Sequence, residues 1–354
     1  MRWRSLLLPF SFLYAIPVWI RRQCYKYHFF SSFQSPIPTI CVGNLSVGGT
    51  GKTPHVEYLI RILSQQRMVA TLSRGYGRKT KGFILANQYD PVLLSSAVIG
   101  DEPLQFYTKF PEVKVAVAEK RKVGLEQLSF LFPDLKAIIL DDAYQHLQVT
   151  PHCKILLTDY HHSYDGDWPL PAGNLREFSV AAREADMIIV TKSPTLNNEQ
   201  EKLFWRRKLS LSNDQPLFFT QYIYQPLFPV NEKAKTKSAT FGTSIFLLTG
   251  IANPDILIKY IIQYYILIHH YEFPDHHPFS ENAIQKICED FLKNELEDKI
   301  LVTTEKDWMR LKSDEKLKKM ISLLPVFVIP IEVKFLFDEE TKFNKIIEDY
   351  VRKN

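Results

Sequence analysis

The stretch TICVGNLSVGGTGKTPHVEYLIRIL, residues 39–63, decides the fold. It begins with a short run suited to a buried strand, TICV, and ends with apolar side chains at helical spacing (Val56, Leu59, Ile60, Leu63). Between them lies a glycine-rich bend. Gly48, Gly49 and Gly51 let the backbone turn sharply and aim successive N–H groups at one point, which makes a nest for anionic oxygens. The helix opening near Thr53 adds the positive end of its dipole. Only 13 glycines occur in 354 residues, so this cluster stands out from its background. The G-x-x-x-x-G-K-[ST] pattern is met except at its first glycine, where Ser46 stands. Gly48, Gly49, Thr50, Gly51, Lys52 and Thr53 are therefore candidates to hold the phosphates of ATP. Lys52 would reach the β- and γ-phosphates, and the Thr53 hydroxyl would meet Mg²⁺.

Downstream, AIILDDAYQH (137–146) reads as a buried strand that brings Asp141 and Asp142 to its C-terminal edge, where α/β sheets bind ligands. Either aspartate suits Mg²⁺. Glu102 is a further candidate metal ligand, with a helix-start acid as the competing reading. Arg74 and Arg78, after the run VATLS (69–73), offer guanidinium groups for a phosphate or substrate, and Asn44 joins them as a candidate substrate contact. Arg176 is a candidate of the same kind, and surface arginine is the alternative for each. The histidine pairs 161–162 and 269–270 read as surface or core residues, since neighbours on a strand point in opposing directions.

Further strand-like runs occur at 113–118, 154–159 and 187–192, with helical stretches such as 55–66 and 103–110 between the early ones. Continuous apolar strands alternating with helices predict a mostly parallel sheet covered on both faces. The order implies an α/β, P-loop NTPase-like core over 31–225, a polar linker or ribbon over 226–244, and a second, smaller α/β domain over 245–354. The last domain contains runs at 245–250, 299–307 and 326–333, and Glu305, Lys306 and Asp307 are expected at a strand end.

Residues 5–20, SLLLPFSFLYAIPVWI, are flanked by arginines and are shorter than the ~20 needed to span a bilayer. They predict an N-terminal membrane-associated segment over 1–30 that lies in the interface, with docking on the protein's own core as the alternative. The four cysteines, 24, 41, 153 and 288, form no CxxC pair and imply neither a disulfide framework nor a zinc site. A net charge of +5 is too mild to indicate nucleic acid and is compatible with an anionic membrane surface.

Taken together, VGNLSVGGTGKTP (42–54), LSRGYGR (72–78), GDEP (100–103), LDDAYQH (140–146), LPAGNLRE (170–177), TGIANP (249–254), FPDHH (273–277) and TTEKD (303–307) resemble the tetraacyldisaccharide 4'-kinase family in kind and order. Ala143-Tyr144 depart from the glycine and phenylalanine usual after the paired aspartates. The resemblance implies transfer of the γ-phosphate of ATP, with Mg²⁺, to the 4'-hydroxyl of a tetraacyldisaccharide 1-phosphate, the lipid A precursor. It implies a seat on the cytoplasmic face of the inner membrane, and no obligate protein partner or nucleic acid is expected. It also suggests Asp101 as general base, oriented by His276 with His277 as a substitute, alongside Lys52. Two other functions compete: a P-loop kinase of a soluble hydroxyl compound, and a membrane-associated ATPase switch.

Overall fold

The computed structural model describes residues 4–196, 198–275 and 277–353. The chain opens the first sheet with β1 (Thr39–Asn44), β2 (Val69–Ser73), β3 (Ile84–Leu85), β4 (Lys114–Val117), β5 (Ala137–Asp141), β6 (Cys153–Asp159), β7 (Met187–Thr191) and β8 (Leu217–Tyr224). A second sheet uses β9 (Phe228–Pro229), β10 (Ser244–Thr249), β11 (Ile266–Glu272), β12 (Lys299–Thr304) and β13 (Val326–Ile329), and β14 (Ile331–Phe335) returns to the first. The orders are β14-β8-β7-β6-β1-β5-β2-β4-β3 and β11-β10-β12-β13-β9.

β1 lies between β5 and β6, parallel to both, which is why all six of its residues are buried and its sequence does not alternate. Cys41 packs into the core on one face and Ile40 and Val42 into that on the other. The helix Lys52–Ser64 covers the second face with Val56, Leu59, Ile60 and Leu63, and the C-terminal helix Glu340–Lys353 adds Phe343, Ile347 and Val351 to it. The antiparallel pairings of β3 with β4 and of β14 with β8 close the two edges.

Three expectations are corrected. The block 245–354 is divided: β13 belongs to the small sheet, but after Pro330 the chain crosses to pair β14 with β8, so residues 331–353 complete the larger unit. Residues 226–244, expected as a linker or ribbon, hold β9, paired antiparallel with β13, and the helix Glu232–Lys235. Glu305, Lys306 and Asp307 begin a helix, Glu305–Ser313, because Thr304 caps it: its side chain accepts from Asp307 N. Such a cap contributes ~1 kcal/mol. His161 and His162 follow β6 in a turn whose N–H groups donate to Asp159 Oδ1, so the strand argument applies only to His269 and His270 on β11.

The N-terminal segment forms the helix Leu8–Lys26, which docks along one side and is exposed along the other. One side docks: Ser11 Oγ donates to Pro169 O at 2.8 Å, and Arg22 lies buried with Nε 2.7 Å from Glu177 Oε2 and Nη1 2.5 Å from Glu184 Oε2. Breaking such a buried pair costs ~3–5 kcal/mol. The other side leaves Phe10, Leu13, Ile16 and Ile20 exposed, Leu13 at 71%. Among the described residues no helix is long and apolar enough to cross a membrane.

Candidate active site

A cleft of about 770 Å³ opens where the C-terminal ends of β1 and β5 meet the small sheet. Its floor is the glycine loop, Gly48 to Thr53. Gly51 has φ +86 as the N-cap of the following helix, and a Cβ there would strike the Tyr222 hydroxyl, so only glycine fits. At Gly43 in β1 a Cβ would come within 2.6 Å of Tyr144 Cβ, so the turn after the paired aspartates packs this closely on β1 only because glycine stands there. Tyr144 is pinned through its hydroxyl to Ala181 O at 2.7 Å.

Lys52 Nζ lies 3.3 Å from Asn44 Oδ1 and 3.7 Å from Asp142 Oδ2. Asn44 is fully buried, with its amide bonded to Ser46 O, so it positions Lys52 and does not face the cleft as a substrate contact. Asp142 takes a left-handed φ of +47 that swings its carboxylate toward Lys52 and Arg176, the latter 3.1 Å away. Burial works against this charge, but Lys52 and Arg176 outweigh it and hold Asp142 below the usual carboxylate range.

Asp141 behaves in the opposite way. Burial, with the charges of Glu102 and Asp142 nearby, pushes it up to about 7, against the pull of Lys52 and Arg121. Ser73 Oγ donates to it at 3.2 Å. Arg121, missed in the sequence, is 2% exposed; its guanidinium donates to Ala118 O and Asp141 O, and burial lowers it to about 10. Its only sequence signal was a charge at the start of an amphipathic helix, which reads as surface. Arg74 lines the cleft, as do Gln145 and His146. Arg78 does not: it turns away to Glu119 Oε1 at 2.6 Å and Gly82 O, which corrects its expected role as a substrate contact.

The small sheet closes the cleft from above. Ala252 stands 3.3 Å from where a Gly49 Cβ would be. Tyr222, Tyr224, Leu257, Ile329 and Ile331 give the cleft a largely apolar wall. Lys306 Nζ reaches across to Glu102 at 3.2 Å and to Asp275 at 3.5 Å. Asp101 opens the helix that carries the cleft-lining Glu102, and its Oδ2 accepts from Arg310 Nε at 2.6 Å, while Arg310 also holds Gly250 O and Asp307. His276 lies outside the described residues. His277 stacks on Phe273, with ring centroids 4.9 Å apart. The N-terminal helix contributes Tyr14, Val18 and Arg21 to the same cleft.

A model of the tetraacyldisaccharide-1-P 4'-kinase family, LpxK, matches residues 3–352. The tetraacyldisaccharide 4'-kinase of Bacteroides thetaiotaomicron is 42% identical over 98% of this chain and 93% of its own length. That of Flavobacterium psychrophilum is 42% identical over 98% and 97%. Among solved structures, LpxK from Aquifex aeolicus in complex with ATP aligns with a TM-score of 0.72 at 28% identity, covering 98% of this chain and 99% of that one. With the match unbroken from the N-terminal helix through the glycine loop to the last helix, the chain belongs to the tetraacyldisaccharide-1-P 4'-kinase family.

Proposed function

We infer that this chain transfers the γ-phosphoryl group of ATP to the 4'-hydroxyl of a tetraacyldisaccharide 1-phosphate. One observation carries the lipid acceptor: the phosphate loop and an N-terminal helix with an exposed apolar face line a single cleft. A kinase of soluble acceptors has no use for that shared wall. The polyphosphate sits on the loop N–H groups and Lys52, with the base against the apolar wall. The acceptor oxygen forms a bond to the γ-phosphorus as the bond to the β,γ-bridging oxygen breaks, and the hydroxyl proton passes to Asp101. Positioning and charge stabilisation supply most of the acceleration.

The donor set fits Mg²⁺. Asp141, Asp142 and Glu102 line the cleft with Thr53, and Asp141, lifted by burial and then by its two carboxylate neighbours, is a group whose charged form a nearby cation would favour. Magnesium usually takes one or two carboxylates and completes its shell with phosphate and water. When bound, it neutralises charge developing on the phosphate oxygens. A stability prediction follows from the sign of the Asp141 shift. Its folded value lies above its unfolded one, so the native state holds a proton that the unfolded chain has released, and stability falls as pH rises toward 7. Asp141→Asn should therefore melt higher than the wild type at pH 8 without nucleotide, yet lose the stabilisation given by ATP with Mg²⁺. Equal melting temperatures at pH 8 would contradict the shift.

The exposed stripe of the N-terminal helix seats the protein on the cytoplasmic face of the inner membrane, the side that holds ATP. Replacing Phe10, Leu13, Ile16 and Ile20 by serine should lower vesicle partitioning at least about tenfold, since each removes apolar area that enters the acyl boundary. ATP binding should persist, and unchanged co-sedimentation would refute the seat. The function itself is tested with labelled ATP, Mg²⁺ and either the disaccharide 1-phosphate or water-soluble alcohols. Lipid-dependent transfer is expected; hydrolysis without transfer would favour a switch.

A further inference from the structure

Successive carbonyl oxygens of the phosphate loop are each held by a donor from outside the loop's bend. Lys192 Nζ donates to Gly49 O at 2.5 Å while paired with Asp159 Oδ2 at 2.7 Å. Thr191 Oγ1 donates to Thr50 O at 2.9 Å, with Thr158 O at 3.3 Å. His55 Nδ1 lies 2.7 Å from Gly51 O, and its Nε2 lies 3.0 Å from Thr220 Oγ1. A carbonyl can only accept, so Nδ1 carries the hydrogen and Nε2 accepts from Thr220.

These donors are built on the sheet. Thr191 ends β7, Asp159 ends β6 and Thr220 lies in β8, while Lys192 takes a left-handed φ of +54 that brings its side chain back over the loop. In a planar trans peptide the C=O and the next N–H point in opposite directions. Fixing Thr50 O and Gly51 O against the sheet therefore fixes the N–H groups of Gly51 and Lys52 on the opposite side. The Thr50 N–H is spent within the loop, on Gly48 O at 3.1 Å. Thr191 and His55 are buried, so neither can touch a ligand, and Lys192 alone of the three lines the cleft. Burial drops His55 to about 4, which keeps the ring neutral with its tautomer set by Gly51 O.

We propose that Lys192, Thr191 and His55 form a carbonyl clamp, three positioning residues that preset the phosphate loop before nucleotide arrives. The clamp rests on the reading of this loop as the ATP site. A loop ordered in advance binds without the entropy cost of being ordered by its ligand, and its donors need no reorganisation during transfer.

The test compares the full chain with Thr191→Val, His55→Phe and Lys192→Met, and with the donor-preserving Thr191→Ser, His55→Asn and Lys192→Arg. ADP affinity is read by calorimetry, together with KM for ATP, KM for the lipid acceptor and the melting temperature. Thr191→Val and His55→Phe should each weaken ADP about tenfold, the size of one lost hydrogen bond, and raise KM for ATP in step. KM for the acceptor should stay put, and Thr191→Ser and His55→Asn should recover most of the loss. Wild-type ADP affinity in Thr191→Val, or a loss that Thr191→Ser does not recover, overturns the clamp. If His55→Phe fails to fold, the isosteric Thr191→Val decides alone. Failure of the wild-type chain to bind ADP would instead refute the loop as the nucleotide site, and the clamp with it.

Discussion

Asp101→Asn is expected to lower kcat by ~10²–10⁴ with KM for ATP close to its wild-type value. The change is nearly isosteric, and the asparagine oxygen can still accept from Arg310 Nε, so this contact between the two helices is kept. What is lost is the capacity to take a proton from the acceptor hydroxyl. The acid limb of the kcat–pH profile should go with it, a change that a purely structural partner of Arg310 would not produce. His276→Ala should fall in the same range. Asp275 of the FPDHH stretch shares Lys306 with Glu102, the neighbour of Asp101. Near-normal turnover in Asp101→Asn would remove this carboxylate from the chemistry.

The first sheet was legible because its central strands are buried on both faces and read as unbroken apolar runs. β1, β2, β4, β5, β6 and β7 fall where those runs lie. Outside those runs, β8 begins with four buried residues and ends half-exposed beside β14, and the remaining strands are of another kind. β3 and β9 have two residues each, β11 is a half-exposed edge, and β14 is separated from β13 by Pro330 alone. Nothing in VFVIPIEV tells that the chain changes sheets at its proline. The site divides in the same way. The residues of the glycine loop and Asp141-Asp142 belong to contiguous patterns with a local physical reason. Arg121, Lys192 and Arg310 act through partners 20, 143 and 209 positions away, which only the folded chain reveals. Arg78 shows the converse: a basic residue in a promising motif finds Glu119 and is withdrawn from the cleft.

The arrangement also explains why Ser46 can stand where a first glycine is usual. Its strand-like bridge with Leu175 ties that end of the loop to the LPAGNLRE segment, and Val47 N donates to Asn174 O at 2.8 Å. The same segment carries Arg176 to Asp142 and Glu177 to the buried Arg22 of the N-terminal helix. One stretch of chain thus connects the surface-facing helix, the phosphate loop and the paired aspartates, so a disturbance of the helix dock reaches the nucleotide site through few bonds.

Lys52→Met should reduce kcat by ~10²–10³, the loss seen when a preorganised charge at a developing anion is removed. The ammonium sits 3.7 Å from Asp142 and 3.3 Å from Asn44, at the one point where loop, β1 and the β5 terminus converge. Without it, Asp142 keeps Arg176 as its ion-pair partner among the described residues, and Asp141 loses a charge that opposes its upward shift. Two buried-edge carboxylates would then face the incoming polyphosphate with less positive charge between them, so KM for ATP should rise as kcat falls. Lys52→Arg should rescue poorly, because a planar guanidinium cannot replace a compact ammonium between Asn44 and Asp142. The melting temperature should change little, since the side chain stands at the cleft and not in the core. Single-turnover transfer from labelled ATP to the lipid measures the chemical step directly. Full transfer by Lys52→Met would show that the loop does not grip the reacting phosphate.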